Sequence, residues 1–264
     1  MIVLIAESKS MSAKQVAVTP ESPCCSPTVG ESVLPCYEFE ADAIMAGLRG
    51  LTASELSDRL KVGPKSAAAM VKMVYDFPDK NHGYRAIDAF SGVVFKALDA
   101  ASLSPEAMER ARRGLRIVSS AYGWLAPDDI IKPYRLDYSD RIAPDGRALS
   151  AFWRSRLTVS LVNLVKTSGC REVLNLLPAD ASKCIDWKAV KAFASVYVAN
   201  FQQEGANGLS TPGCGRLKTL RGLLLRHILE TGISSGDMLR SLDTDFCYYD
   251  TDAPYPGHLQ LITD

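Results

Sequence analysis

Ile2-Val3-Leu4-Ile5-Ala6-Glu7-Ser8-Lys9-Ser10 opens the chain with five apolar residues, three of them β-branched, and breaks off into four polar ones. A run of that length and composition predicts a buried strand, and its abrupt polar end is how a core strand delivers a loop to a site. A core strand with no further role fits the same residues. Beyond it, Met11 to Pro35 is rich in Ser, Pro, Thr and Val without helical periodicity, which predicts an extended surface loop.

Helix signals follow. Thr52-Ala53-Ser54-Glu55 is a capping box that starts a helix near residue 53, and Gly63-Pro64 is expected to end it, with glycine taking the left-handed turn. A second helix is predicted through Ala67, Met70, Val71 and Val74. Ser104-Pro105-Glu106 starts another, since Ser caps the first turn and Pro pre-sets it. Leu115 to Val118 and Val173 to Leu176 read as strands, and residues 148–166 and 216–230 as helices. Residues 190–201 are β-rich, and 246–249 and 259–262 look like closing strands. Helices and strands are mixed from end to end, which predicts an α+β fold. No repeat of 20 to 50 residues is present.

The chain has 264 residues, 47% hydrophobic and 23% charged, an ordinary globular composition that disfavours disorder, collagen-like repeats and coiled-coil rods. Lys+Arg 30 against Asp+Glu 30 leaves no excess charge, so a polyanion site has to be a local patch. Apolar runs such as Leu223-Leu224-Leu225 fall far short of the ~20 residues that span a bilayer. With no basic region ahead of the first apolar run, a cytoplasmic protein without a membrane partner is expected. The cysteines number seven, an odd count, and none are spaced C-x-x-C, so reduced thiols are expected. His82, His227 and His258 have no neighbouring ligand pattern, and no phosphate loop, dinucleotide fingerprint or nucleophile elbow occurs. No metal and no cofactor are expected.

Charge is unevenly spread. Between Asp145 and Glu172 the chain carries Arg147, Arg154, Arg156, Lys166 and Arg171 with no acid, and between Glu204 and Glu230 it carries Arg216, Lys218, Arg221, Arg226 and His227 with none. From Asp237 to Asp264 six Asp face only Arg240. Such windows suit phosphate contacts, and they equally suit solvated helix faces. Leu60-Lys61-Val62-Gly63-Pro64-Lys65-Ser66-Ala67 resembles a helix-hairpin-helix turn, although Lys65 replaces its usual second glycine and Pro64 removes an N–H; a plain helical hairpin is the other reading. Tyr122 to Pro127 and Ile131 to Leu136 place Tyr, Trp, Lys132 and Arg135 around a bend, suited to stacking on a base or to a packed corner with Tyr134 hydrogen-bonded and Arg135 paired to Asp137 or Asp129.

Taken in order, Ser8-Lys9-Ser10-Met11 after the first strand, Phe90, Gly92 and Val94, Tyr122-Gly123 with Leu125 and Pro127, Pro133-Tyr134-Arg135-Leu136, Phe152-Trp153, Asn175-Leu176, and Lys218 with Arg221-Gly222 and Arg226 resemble the bacterial YaaA peroxide-stress family along the whole chain. The resemblance implies one compact domain over residues 1–264 with a helix-hairpin-helix-like segment at about 52–77. It implies a cytosolic, monomeric protein that binds duplex or distorted DNA without reading sequence and limits peroxide and iron-driven damage. The cleft residues it implies are Lys9, Arg135, Lys218, Arg221 and Arg226, with Lys132 and Lys183 as further nucleic-acid-binding candidates, and Lys61, Gly63 and Lys65 belong to the hairpin. An enzyme acting on a nucleotide or modified base in the same cleft, lined by Tyr134, Arg135, Lys183 and Arg221 with a lysine or carboxylate as general base, is the alternative. Catalytic residues are not identified.

Overall fold

The structure is a computed structural model that describes residues 1–11, 16–17, 34–79, 82–205, 208–251 and 257–263. The chain runs through β1 (Ile2–Ala6), β2 (Val16–Ala17), α1 (Glu38–Ala46), α2 (Ala53–Leu60), α3 (Pro64–Asp76), β3 (His82–Arg85), α4 (Ala86–Ala89) and α5 (Val93–Leu98). It continues as α6 (Pro105–Gly114), β4 (Leu115–Ser119), β5 (Gly123–Leu125), β6 (Ile130–Ile131), α7 (Leu149–Ser168), β7 (Glu172–Asn175), α8 (Ala179–Ser182) and α9 (Trp187–Lys191). It ends with β8 (Ser195–Gln203), α10 (Cys214–Thr231), α11 (Gly236–Leu239), β9 (Tyr248–Tyr249) and β10 (His258–Thr263).

Seven strands form one sheet in the order β5-β4-β1-β7-β8-β10-β9. The five inner strands are parallel, and the short edge strands β5 and β9 pair antiparallel. The expected mixture of helix and strand is present, but the parallel core with helical crossovers makes the organisation α/β rather than α+β. Parallel strands covered on both faces need near-continuous apolar sequence, and Ile2 to Ile5 are all buried. A small antiparallel sheet of β2, β3 and β6 lies beside it.

β1 pairs with β4 on one side and β7 on the other, while the chain builds β8 and β10 outward beyond β7. The connections therefore diverge from β1, and the carboxyl ends of β1, β4 and β7 border the crevice that a reversal of winding leaves in an open α/β sheet.

Local chemistry explains most boundaries. The Thr52–Glu55 capping box is formed in both directions at the start of α2, and Ser104 accepts from Ala107 N at the start of α6. The end of α2 differs from expectation: the left-handed residue is Lys61, at φ 51°, whereas Gly63 is extended and serves as N-cap of α3 with Pro64 in its first turn. The β-rich reading of 190–201 is also corrected. Asp186 accepts from Lys188 N and Ala189 N and holds α9 as far as Lys191, so the strand begins only at Ser195. The loop expected over 11–35 lies largely outside the described residues; within it Met11 bridges Phe90 and β2 pairs with β3.

Two glycines set close approaches. A Cβ on Gly222 of α10 would stand 2.3 Å from the carbonyl oxygen of Val94 in α5, so only glycine lets these helices touch at that point. A Cβ on Gly123, at φ 69°, would meet the ring of Trp153 at 2.8 Å. Trp153 is fully buried in α7 and donates its indole N–H to the carbonyl of Ser120 at 2.8 Å, fixing the chain just after β4.

Candidate functional site

β1 carries Glu7 to the crevice as the first residue past its end, with Glu7 N still donating to Val118 O at 2.9 Å. β4 delivers Ser119 and Ser120, both fully buried, from the neighbouring strand. The loop after β6 lays Tyr134 and Tyr138 over them, and Tyr138 donates its hydroxyl to Val118 O at 2.9 Å. Tyr134 is hydrogen-bonded to the Glu7 carboxylate, and its hydroxyl lies 2.6 Å from Ser119 Oγ. Ser119 Oγ in turn accepts from the backbone N–H groups of Ala121 and Tyr122 at 3.2 and 2.9 Å.

Glu7 retains some accessible surface, yet its carboxyl is surrounded closely enough that loss of solvation dominates. Burial pushes its pKa up from 4.5 to about 7, while polar groups of Ser120, Tyr134 and Ser119 hold that rise in check. Burial and the adjacent Glu7 keep the Tyr134 phenol protonated far above its ordinary range. Cys184, buried after α8, is pushed up to about 12 by burial and by Glu7 and Asp180, so it is an inert thiol. A carboxyl poised near neutrality at such a crevice can accept or donate a hydrogen bond and carry a proton.

At the lip, the Lys9 ammonium pairs with Asp137, and Arg135 donates to the Lys9 carbonyl at 3.1 Å. Burial raises the pKa of Asp137, but the bonds from Lys9 and Ser139 outweigh it and the net shift is downward. Asp140 accepts from Asp137 N at 2.7 Å; burial raises it to about 6 against the pull of Lys9 and Lys61. Lys61, at the end of α2, thus acts on the same carboxyl as Lys9. Gly92 presses on the other side, where an added Cβ would lie 2.2 Å from Ser8 Oγ.

The sequence-predicted residues divide into groups. Lys9 pairs with Asp137, Lys9 and Lys61 both act on Asp140, and Arg135 bonds the Lys9 carbonyl; Gly63 caps α3 and Lys65 is in its first turn. Lys183 is exposed at the end of α8, and Arg221 is half-buried near Asp180, its pKa lowered by burial against the pull of Cys214 and Asp180. Lys218 is exposed one turn earlier on α10. Lys132 is mostly covered, with its ammonium 3.9 Å from Asp79. Arg226 spends its guanidinium on the carbonyls of Leu98 and Asp99, at 2.8 and 2.9 Å, and ties α10 to that turn.

Cations of the first acid-free window take partners on folding. Arg147 pairs with Asp145, Arg154 with Asp186, Arg156 with Glu40, and Lys166 sits over the ring of Phe193. The packed-corner reading of Tyr134 holds for its hydroxyl, but Asp137 pairs with Lys9 and not with Arg135. The sequence reading gives Glu7 only as one of the polar residues that end the first strand and does not single out Ser119. The available signal was an acid placed as the first residue after a buried strand.

Among the described residues no three His, Cys, Asp or Glu side chains come together as a metal site, and no helix is long and apolar enough to cross a membrane. A groove of about 500 Å³ on α3, lined by Leu48, Leu51, Val71, Val74, Tyr75 and Pro78, lies away from these titratable groups.

The family model described as peroxide stress protein YaaA matches residues 1–253. The chain belongs to the YaaA family. A UPF0246 protein of Parabacteroides distasonis is 29% identical over 243 residues, covering 91% of each chain. Another, from Shewanella pealeana, is 30% identical over 220 residues, covering 82% of this chain and 84% of its own. A third, from Burkholderia thailandensis, is 29% identical over 230 residues, covering 85% and 87%. The YaaA match includes every element of the crevice, from β1 through α10.

Proposed function

We propose that this YaaA-family protein acts in peroxide stress by binding DNA through its phosphates, without sequence preference, and so limits peroxide and iron-driven damage to it. The observation that carries the reading is the α2–α3 turn. Lys61 and Lys65 are exposed there on either side of Gly63, and α3 begins without a side-chain cap, with Pro64 supplying no N–H at its first position. Lys61 of the turn and Lys9 act on the same Asp140 carboxyl, and Arg135 donates to the Lys9 carbonyl. We read this turn as taking the place of a helix-hairpin-helix turn on a phosphate, with Lys65 and Pro64 departing from its usual pattern.

The test is the salt dependence of binding to a duplex of random sequence. Four to six neutralised phosphates give a slope of log affinity against log salt of roughly −4 to −5. A flat response, or an unchanged slope after joint Lys61→Ala and Lys65→Ala substitution, would contradict the proposal.

A further inference from the structure

A cavity of about 260 Å³ lies at the β5 edge of the large sheet, against α7, and none of its lining residues belongs to the crevice or to the α2–α3 turn. Val118 pairs with Trp124, so Trp124 and Arg116, two residues before Val118, stand on one face of β4 and β5. α7 adds Leu161 and Leu164, and the turn before β6 adds Asp129. The walls are mostly apolar, with opposite charges at two points.

Arg116 is the residue that lacks a counterpart. It is largely covered, and burial lowers its pKa against the pull of Asp129 and Cys36. Its hydrogen bonds all leave from Nη1, to the carbonyls of Leu115 and Arg112 at 2.7 and 3.3 Å. Among the described residues Nε and Nη2 have no partner, and the guanidinium forms no ion pair. Neither nitrogen is one of the buried orphan atoms, so both remain reachable. Arg85, Arg112, Arg154 and Arg156, by contrast, each hold a carboxylate. A covered cation without a counter-ion costs free energy that a bound anion offsets. Asp129 is almost fully buried in the same lining and accepts from Ala126 N at 2.8 Å. A carboxylate has about four lone-pair sites, so it can take a further donor. The indole N–H of Trp124, in the same wall, also lacks a hydrogen-bond partner among the described residues.

We propose that this cavity binds a small apolar α-amino acid, with its carboxylate on Arg116, its ammonium on Asp129 and its side chain against Leu161 and Leu164. The volume holds about nine waters at roughly 30 Å³ each, and leucine is of that size. Opposite charges that line one cavity without pairing across it select a zwitterion over a plain acid or amine. The two leucines disfavour a charged side chain. Cys36 is exposed in the same lining, so a seated guest covers its thiol.

Calorimetric titration of the full chain at neutral pH tests this with L-leucine, L-aspartate, isocaproate and isoamylamine, the last two keeping one charged end of leucine each. L-leucine is expected to bind saturably and each of the others at least about tenfold more weakly. Asp129→Asn keeps an acceptor for the Ala126 N–H, and should weaken leucine about tenfold while leaving isocaproate unchanged. Arg116→Gln should weaken both. Alkylation with iodoacetamide, followed by mass spectrometry, needs no variant. Leucine at roughly ten times its Kd should slow modification of Cys36 about tenfold and leave the exposed Cys214 unchanged. The proposal is overturned by absence of saturable leucine binding, by isocaproate or isoamylamine matching leucine, or by leucine binding that leaves Cys36 alkylation unchanged. All three outcomes are read on the parent protein, so a variant that fails to fold leaves the test intact.

Discussion

Tyr134 donates its phenolic proton to Oε2 of Glu7, a residue 127 positions earlier, and the bond ties the loop after β6 to the end of the central strand. Neither partner stands alone: the Tyr134 ring packs 5.7 Å from Tyr122 and 6.4 Å from Phe90. An aromatic clamp thus holds the donor that keeps a buried carboxyl ionisable.

Removing that donor should shift the acid. Tyr134→Phe deletes a bond that favours the carboxylate and leaves the ring packing in place, so Glu7 is expected to titrate above its present value of about 7. Ser119 loses its acceptor at the same time, which adds a stability cost of about 1 to 2 kcal/mol. The Glu7 carboxyl carbon resonance, followed against pH, reads the first effect, and chemical denaturation reads the second. An unmoved or lowered midpoint would refute the direction of the donor chain.

Glu7 also gives the fold a pH dependence with a definite sign. Its native pKa of about 7 stands above the ordinary 4.5, so between those values the native state holds a proton that the unfolded chain has released. Stability contributed by this group is therefore full below about 4.5 and declines as pH rises to about 7, by at most roughly 3 kcal/mol. Asp140, raised to about 6, acts in the same direction. Glu7→Gln should flatten the decline and make the protein more stable than the parent above neutrality. Equal pH profiles for the two proteins would contradict the burial of this carboxyl.

Local signals made much of the fold legible. The apolar run at Ile2, the Thr52–Glu55 box and the Ser104-Pro105 start each act within four residues, and each element formed where that chemistry put it. Strand order is a different matter. That β1 lies between β4 and β7 depends on pairings more than 100 residues apart, which periodicity does not record. The site was half legible for the same reason. Lys9, Tyr134 and Arg135 stood out as residue types in unusual company, whereas Glu7 and Ser119 gain their chemistry only when two strands meet. Pairing within the first arginine-rich window is likewise hidden from the sequence, since Glu40 for Arg156 and Asp186 for Arg154 lie outside that window.

The contact between α5 and α10 offers a test of packing away from the crevice. Gly222→Ala would drive a methyl group into the carbonyl of Val94 and the side chain of Ala97, at 2.3 and 2.7 Å. Backbone cannot swing aside as a flexible side chain can, so the helices must separate, at a cost of about 1 to 3 kcal/mol. Thermal melting checks this, and a variant as stable as the parent would show that the helices are not in contact there.

Gly92→Ala separates the loop from the sheet. The added Cβ would lie 2.2 Å from Ser8 Oγ and 2.9 Å from Ser8 Cβ, so rotating the hydroxyl is not enough and the backbone after Glu7 has to move. β1 itself is held on both sides by β4 and β7 and stays in place. The expected result is a small loss of stability, about 1 kcal/mol, together with a fall in the Glu7 pKa towards its ordinary value as the carboxyl leaves Tyr134 and gains water. The same carboxyl carbon titration reads it. A destabilised variant in which Glu7 still titrates near 7 would mean that Ser8 yields alone and that the glycine serves packing only.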